Sequence, residues 1–533
     1  MPTPVQPPGL SSLPERRLAA RPLGGPHSRS PVATPVHPLR FFSPVLMVPM
    51  ALRSAFAGLC LLVFSAGPPA MAQDDPAQAP PDDPACATRP CPVLSLDAFL
   101  NQVLRTNPVA QSLRLEDDRA LATLLDARGA FDPHLSSGYE YKTEDDKDKL
   151  NILRSGITMP FDVLMSPSLT LDYRRGRGSS IDPSVLTSLE GETRLGLSLM
   201  PLQGLGTSKR RAALSKARLE PRRANALQIR QRNRLLLDAT AAFWTWVEAR
   251  RALQINRDLL ELAVTRLDFV IQQARAGEVA AVDSVEAELS VVSRQGKVAV
   301  ARRKAEEARV KLAVFLWGSD GTPEPLRYDP PALPSEPAAP DSVEGLTAAL
   351  ARRPELQEIA IKRRQMRIEQ RLARQRLRPD LKLEAQVVSY DSRPSTVNDV
   401  KLGFKIEQPL LFRGGRSDVE RTQIETQALR LKRDLVERKV RADVEAALVA
   451  VRQSRRRAVV AERRVELARR LREAEQRRFE LGESTLFLVN QRDQAFGEAR
   501  EERVAARVDL LQAQATYQWA TGTIADGLAT VEP

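Results

Sequence analysis

The sequence predicts a mostly helical chain with a smaller β segment, built from two tandem repeats of helix, strands, long helix and return helix. Three observations predict this fold class: an internal duplication, long stretches of heptad spacing, and short stretches in which apolar and polar residues alternate. Aromatic residues are 5% and charged residues 28% of the 533 residues, a balance that suits long amphipathic helices better than a large enzyme core.

The internal duplication is visible as five landmarks that recur in the same order in both halves of the chain. They are Leu100-x3-Leu104-x3-Pro108, Pro133, Pro201-Leu202, Gly277 and Gly318 in the first half, and Leu346-x3-Leu350-x3-Pro354, Pro379, Pro409-Leu410, Gly482 and Gly522 in the second. One interval differs strongly, because the first half has 38 more residues between its second and third landmarks. We therefore predict repeat 1 at 94–318, a Pro-rich linker at 319–341, repeat 2 at 342–525 and a tail at 526–533.

Heptad spacing predicts a long helix in each repeat, at 207–275 and 416–480, with return helices at 283–316 and 488–520. The seam residues are Leu235, Ala239, Ala242, Trp246, Ala249, Leu253, Leu260, Ala263, Leu267, Val270 and Ala274 in repeat 1, and Val440, Val444, Ala447, Val451, Ser454, Ala458, Ala461, Val465 and Ala468 in repeat 2. Such long seams indicate helices that pack along their length. Pro221 should kink or delay the first long helix.

Alternation of apolar and polar residues predicts strands at about 134–201 and about 380–411. The apolar positions include Leu169, Leu171, Tyr173, Leu195, Leu197, Leu199, Leu381, Leu383, Ala385, Val387, Leu402, Phe404 and Ile406. This pattern suits the half-buried sheet of a soluble sandwich, or a sheet with lipid on one side and water on the other. Each repeat has too few strands to close a sheet alone, so we expect partners to complete it. The 38 extra residues are a candidate additional hairpin, whose place inside or outside the sheet stays open.

The N-terminal region predicts export. Residues 55–66 are apolar and uncharged, follow Arg53, and precede the small-residue site Ala70-Met71-Ala72. This arrangement is typical of a secretory signal peptide cleaved after about Ala72, and 12 residues are too few to span a bilayer as a helix. We expect 1–72 to be an N-terminal extension and signal peptide, with Met47 and Met50 as alternative starts.

A Pro- and Asp-rich tail at 73–93 follows the predicted signal peptide. It contains Cys86 and Cys91, which are candidates for a disulfide that closes a small loop in an oxidising compartment.

The charges and the scarce histidines exclude several function classes. The net charge of +13 would fit a nucleic-acid-binding protein, but Arg runs such as 455–457 and 469–470 are interleaved with Glu462, Glu466 and Glu473, which is typical of a solvated, ion-paired face. His134 is alone after residue 72, which excludes His-based triads and multi-His metal sites. We expect no enzyme, no cofactor and no nucleic-acid partner.

Four segments carry a resemblance to a known family: the twin Leu-x3-Leu-x3-Pro motifs, QPLLFRGGR (Gln408 to Arg416), and the turns ARAGEVAAVDSVEAEL and FELGESTLFLVNQRD. With these motifs, the chain from about 94 to 525 resembles the TolC-type outer membrane channels, also called outer membrane factors or outer membrane efflux proteins. The resemblance implies a homotrimer in which each protomer gives four strands to a shared transmembrane β-barrel and its helices to an α-helical barrel in the periplasm.

The resemblance also implies a function. The chain would be a channel in the outer membrane, in contact with its lipid, and the exit duct of a tripartite efflux or type I secretion system. The channel itself would be passive. An inner-membrane pump of the RND or ABC type would drive transport, and a periplasmic adaptor (membrane fusion) protein would connect this pump to the channel. The alternative class is an exported, soluble coiled-coil adaptor or scaffold whose strands form a small lipoyl-like or sandwich domain.

Site residues follow from the same resemblance. The turns at Gly277-Glu278 and Gly482-Glu483 are the expected adaptor-docking tips, where the glycines permit a positive φ. The expected strand-to-helix exits are Pro201, Leu202, Pro409, Leu410, Gly414 and Gly415.

The pore constriction is expected close to the same turns. Family members with an acidic constriction carry Asp six and nine residues after the second glycine, where this chain has Leu488 and Gln491. The equivalents in repeat 1, Asp283 and Glu286, are acidic, and Asp283 is also a candidate helix N-cap.

Overall fold

The computed structural model describes residues 92–144, 147–177, 191–334, 342–390, 397 and 399–528. All of them lie in one compact unit, Pro80–Pro533. The predicted signal peptide and the Cys86–Cys91 disulfide lie outside the described residues.

The helices follow the same order in both halves. They are α1 Leu96–Thr106, α2 Pro108–Gly129, α3 Lys209–Ala217, α4 Glu220–Ala276 and α5 Ala281–Ala313 in repeat 1, and α6 Ser342–Arg352, α7 Pro354–Gln375, α8 Arg413–Glu480 and α9 Leu486–Thr521 in repeat 2. The two short helices at the start of each repeat have equal lengths, 11 residues for α1 and α6 and 22 for α2 and α7. The predicted duplication is therefore present in three dimensions.

The Leu-x3-Leu-x3-Pro motif is a junction between two helices. Its proline begins the second helix in both repeats, because a proline at the first helical position lacks only an N–H that would have no partner there. In repeat 1 the side chain of Asn107 accepts a hydrogen bond from the Val109 N–H at 2.9 Å and caps α2. In repeat 2 the corresponding Arg353 is buried and instead pairs with Asp443 of α8 at 3.1 Å.

The first long helix is interrupted and the second is not. α3 ends at Ala217 and α4 begins at Glu220 with Pro221 in its first turn, so the predicted interruption at this proline is confirmed. α8 is continuous over 68 residues, a length of about 100 Å. In the described part of the chain, no helix combines the length and the apolar character that crossing a membrane requires.

Each long helix forms a hairpin with its return helix, α4 with α5 and α8 with α9. The predicted seam residues of α4 and α8 are all buried or half-buried. The largest apolar cluster lies where α1, α4, α5 and α9 meet, with the ring of Phe99 stacked on Phe243 at 5.5 Å. Phe243, Trp244 and Val247 are also buried although they are off the predicted seams, because α1 and α9 cover further faces of α4.

The strands in the described part of the chain form one antiparallel sheet of six, in the order of the chain. They are β1 His134–Glu144, β2 Lys147–Pro160, β3 Ser168–Arg177, β4 Glu192–Leu199, β5 Asp380–Ser389 and β6 Asp399–Glu407. The described part of the chain therefore has two strands more than the four per protomer that the resemblance implies. Among the described residues, repeat 1 supplies four strands and repeat 2 supplies two, and β1 to β4 all lie within the sheet.

Candidate functional site

One face of the sheet is apolar across all six strands. Pairing places one apolar residue of each strand in a single row, formed by Leu135, Ile157, Leu171, Leu195, Val387 and Val400. A second row, from Met159 through Leu169, Leu197 and Ala385 to Leu402, lies beside it. The alternation read from the sequence is thus in register between strands, which only the pairing could establish.

The apolar face is uncovered. Leu402 and Phe404 are each 77% exposed, and Leu171 and Leu195 in the middle of the sheet are 43% and 48% exposed. A soluble sandwich would bury these side chains against a second sheet, because large exposed apolar patches are unfavourable in water. The described residues contain no such second layer, so the sandwich of the alternative class does not account for the sheet.

The opposite face of the sheet carries charges and small residues. Arg154 of β2 pairs with Glu140 of β1 at 3.4 Å, Arg194 pairs with Glu192 on β4, and Lys405 pairs with Glu407 on β6 at 2.5 Å. Such a sheet, apolar on one side and ion-paired on the other, fits a boundary between lipid and water.

The predicted strand-to-helix exits lie at the ends of β4 and β6. Pro201 and Leu202 are in the turn that follows β4. Leu410 follows β6 and is 90% exposed. Gly414 and Gly415 lie within the first turn of α8, which begins at Arg413, three residues earlier than the sequence predicts. A side chain at Gly415 would require the end of the Leu377 side chain, just after α7, to shift.

The two helical hairpins end in turns of the same geometry. Gly277 and Gly482 have φ of 78° and 75°, and both leave open space where a Cβ would stand. In each turn the glycine N–H and the next N–H donate back to the last helical carbonyls; the bond from Glu278 to Gln273 is 3.0 Å and that from Glu483 to Arg478 is 2.8 Å. This C-terminal cap with a left-handed residue is the reason for glycine here.

The structure brings two of the four constriction candidates together. Glu286 of α5 and Gln491 of α9 line one open groove between these helices, and Asp283 and Leu488 are half-buried one turn closer to the tips. The N-cap interpretation of Asp283 is wrong: the cap position of α5 is Ala280, and Asp283 is the third residue of the helix. In repeat 2 the hydroxyl of Thr485 caps α9 by accepting from the Leu488 N–H at 3.4 Å.

A buried charge cluster near the tips joins the two hairpins and was not predicted. The carboxylate of Asp493 in α9 is 1% exposed, accepts a hydrogen bond from Arg266 of α4, and lies 3.3 Å from Arg472 of α8. Arg266 also donates to Asn490 at 3.1 Å. The same carboxylate also attracts Arg294 of α5 electrostatically. The pKa of Arg294 is lowered, because this guanidinium is buried.

The sequence contained a weak signal for this cluster. Asp493 follows the buried Leu486 and Val489 at helical spacing, so a charged residue stands on the apolar seam of α9. A charge at a seam position requires buried partners.

A second polar contact holds the tip of repeat 2. The Ser484 hydroxyl donates to the Glu475 carboxylate at 2.5 Å, and the carboxylate lies 3.7 Å from both Arg478 and Arg492. The hydrogen bond from Ser484, with the charges of the two arginines, holds the pKa of Glu475 below its usual value. This contact ties the end of α8 to the turn and to α9.

Elsewhere along the helices, the interleaved Arg and acidic residues noted in the sequence form ion pairs. Glu466 pairs with Arg469 at 3.0 Å and with Arg470 at 2.7 Å, and Arg457 pairs with Asp509 at 2.5 Å. These pairs are exposed, as expected for a solvated face. The described residues include no cluster of His, Cys, Asp and Glu suited to a metal ion.

Comparison with known proteins matches the second repeat to a family. Residues 345–523 match the family model of the outer membrane efflux proteins. Repeat 2 is therefore similar to the outer membrane efflux proteins. The resemblance that the sequence motifs predicted is confirmed, and the matched family is one of transport channels and not of enzymes. No sequence among curated proteins matches the chain significantly.

Solved structures show that the fold of outer membrane efflux channels extends over most of the chain. The Campylobacter jejuni CmeC outer membrane channel matches with a TM-score of 0.59 and 13% identity over 80% of this chain and 86% of that chain. The outer-membrane channel OprN matches with a TM-score of 0.59 and 17% identity over 84% and 97%. The open state of the Neisseria gonorrhoeae MtrE outer membrane channel matches with a TM-score of 0.59 and 16% identity over 80% and 89%.

Proposed function

We propose that the chain is an outer membrane channel and the exit duct of a tripartite efflux or type I secretion system. The observation that carries this proposal is the uncovered apolar face of the six-stranded sheet, in one chain with two long helical hairpins. Lipid would cover the apolar face, and the ion-paired face would line the duct. The chain adds no driving force and needs no cofactor, since the pump supplies the energy.

A homotrimer would complete both parts of the molecule. The described side chains of the edge strands β1 and β6 are exposed, and each of these strands pairs with a neighbouring strand of the sheet on one side, which favours pairing with another copy on the other side. On α5, Val282, Val285 and Leu289 are 63–68% exposed, and neighbouring copies would cover them. The sheet would then lie in the outer membrane and the hairpins would extend into the periplasm. This placement agrees with a signal peptide cleaved after about Ala72.

The tips are the proposed contact with a periplasmic adaptor, which connects the duct to an inner-membrane pump of the RND or ABC type. The turns at Gly277-Glu278 and Gly482-Glu483 are exposed and share one backbone geometry, so a trimer would present six similar tips. α4 alone extends about 85 Å from Glu220 to Ala276. This length suits a tip that reaches well away from the membrane.

The narrowest part of the duct is proposed at the same end, near Asp283, Glu286, Leu488 and Gln491. Only the repeat 1 positions are acidic, so a trimer would carry its negative charge on one of the two hairpin types. Cation selectivity at this constriction would therefore come from Asp283 and Glu286 alone.

Fractionation of cell envelopes and an unboiled gel test the proposal. We expect the protein in the outer membrane fraction as a trimer that dissociates on boiling. A monomer in the soluble fraction would contradict the proposal and favour the adaptor or scaffold class.

Deletion of residues 276–284 tests the role of the tip. The variant should still reach the outer membrane and form trimers, because the deleted turn is exposed and far from the sheet. Export should be lost. A variant that is inserted, trimeric and still exports would overturn adaptor docking at this turn.

A further inference from the structure

The two strands that repeat 1 adds to the sheet lie in its interior. β2 and β3 separate β1 from β4, with β2 paired to β3 from Asn151–Arg177 to Pro160–Ser168. β3 pairs with β4 from Ser168–Ser198 to Arg174–Glu192. These strands are therefore not an appendage on the edge of a four-stranded sheet.

The added strands have the same two faces as the rest of the sheet. Ile157 and Leu171 continue the apolar row between Leu135 of β1 and Leu195 of β4. On the other face, the side chain of Thr170 donates to the Gly196 carbonyl at 3.3 Å. In a hairpin that projected into water, the apolar and polar residues would not need to alternate in register with those of β1 and β4.

The turn between β2 and β3 is anchored at the helical end of the sheet. The Met200 N–H donates to the Met165 carbonyl at 2.8 Å, and the Met165 N–H donates to the Gly204 carbonyl at 3.2 Å. A side chain at Gly204 would collide with the Met165 backbone, so the two turns pack closely.

The same turn is connected to the first helix after the sheet. Asp162 lies 3.4 Å from the guanidinium of Arg211 in α3 and 3.5 Å from that of Arg218, the residue after α3. The extra hairpin is thus fixed both within the sheet and at the junction with the helices.

We propose that three copies close a barrel of eighteen strands, six from each chain, in place of the twelve that four strands per protomer would give. This inference rests on the proposed function. Six is an even number, so β1 and β6 run in opposite directions, and β6 of one copy can pair with β1 of the next in the antiparallel manner of the remaining strands. The apolar residues of both edge strands lie on the same face of the sheet.

The larger strand number widens the duct at the outer membrane. With strands about 4.8 Å apart and tilted by about 40°, the barrel radius to the backbone is about 18 Å for eighteen strands and about 12 Å for twelve. Barrels of this size hold a water-filled channel. The outer mouth of this duct is therefore not what limits the size of its cargo, and the helical end sets that limit.

Electron cryomicroscopy of the detergent-solubilised full chain tests the proposal by the number of strands around the trimer axis. The control is a deletion of residues 147–190, which joins Asp146 to Gly191 and leaves an Asp-Gly turn between β1 and β4. We expect eighteen strands for the full chain and twelve for the deletion, with a diameter smaller by about 12 Å. A full-length trimer with twelve strands and the hairpin outside the barrel would overturn the inference but leave the proposed function intact. A protein with no membrane barrel would overturn both.

Cysteine labelling in membranes gives a second readout that does not depend on the deletion variant. Leu171→Cys and Thr170→Cys are neighbours on opposite faces of β3, tested in a chain with Cys86 and Cys91 replaced by serine. A water-soluble maleimide should modify the Thr170→Cys variant at least tenfold faster than the Leu171→Cys variant, since lipid covers the latter. Equal rates, whether fast or slow, would show that the two faces of β3 do not differ in their contact with water and would contradict its place in the barrel.

Discussion

The Asp493 carboxylate of α9 accepts a hydrogen bond from the Arg266 guanidinium of α4, and this buried pair joins the two helical hairpins near their tips. Arg472 and Arg294 bring further positive charge from α8 and α5. One carboxylate therefore balances arginines from the three other helices of the two hairpins. The contact is the most buried of the polar links between α4 and α9, which include Arg500 to Asp258 at 2.9 Å.

Loss of this carboxylate should loosen the tips. In Asp493→Asn, the surrounding arginines lose a counter-charge that is itself buried, and we expect a local destabilisation of about 3–5 kcal/mol. Hydrogen exchange of the amides in α4 and α9 around Arg266 and Asp493 measures it. Asp509→Asn is the control, because the Arg457–Asp509 pair is exposed and should contribute roughly 0–1 kcal/mol. Equal exchange in both variants would mean that the buried pair does not hold the hairpins together.

Substitution of the two turn glycines should destabilise the turns only because of their backbone conformation. Gly277→Ala and Gly482→Ala each place a side chain in open space at positive φ, so we expect a cost of about 1–2 kcal/mol without a steric clash. Gly296→Ala, in the exposed interior of α5, should instead stabilise its helix by about 0.5–1 kcal/mol. Local hydrogen exchange at the three sites measures these effects. If alanine at Gly277 or Gly482 caused no more destabilisation than alanine at Gly296, the assignment of a left-handed C-terminal cap would be contradicted.

The tip of repeat 2 should weaken in acid. The hydrogen bond from Ser484 and the nearby arginines lower the pKa of Glu475, so its stabilising contribution is complete above the ordinary value of 4.5 and is lost as pH falls through the lowered pKa. Hydrogen exchange at 481–485, corrected for the intrinsic effect of pH on exchange, should therefore accelerate as the pH falls below 4.5.

Two variants separate Glu475 from other groups that titrate in acid. Glu475→Gln should exchange fast at every pH, and Ser484→Ala should reduce the pH dependence. An unchanged acid response in Glu475→Gln would assign the effect to a different group.

A charge on the apolar face of the sheet should prevent assembly in the membrane. We expect Leu402→Arg to cost about 2–4 kcal/mol, because it places a guanidinium against lipid. Gly403→Arg puts the same side chain on the ion-paired face of β6, where the space beside the glycine is open. On an unboiled gel, the first variant should lose most of its trimer and the second should keep it. Similar trimer yields would contradict the assignment of the lipid-facing side.

Much of the fold was predictable because it follows from local periodicity. The heptads of α4 and α8 predict their buried seams, since side chains at helical spacing share a face whatever they pack against. Pro221 predicts the interruption before α4, and Gly277 and Gly482 predict the turns, because these residue types restrict or widen the backbone conformations of their own positions. The alternation in β3 to β6 likewise follows from the two-residue period of a strand.

Other features depend on residues far apart in the sequence. The burial of Phe243 and Trp244 requires α1 and α9 to cover α4, and the α5 cap at Ala280 depends on how the turn is closed. The cluster around Asp493 unites four helices, so no single stretch of sequence contains it. The position of the extra hairpin also depends on distant residues. The order of strands in a sheet is set by which strands pair, and the two-residue period within a strand does not specify it.

The sequence by itself determined the two repeats, their long helices and turns, and which residues of β3 to β6 share a face, because each of these is specified within one element. Only the tertiary structure decided that six strands form one sheet, that its apolar rows are in register and uncovered, and that Arg266 meets Asp493. Those outcomes are set by contacts between distant segments, and the free energy that selects them arises only when the segments come together.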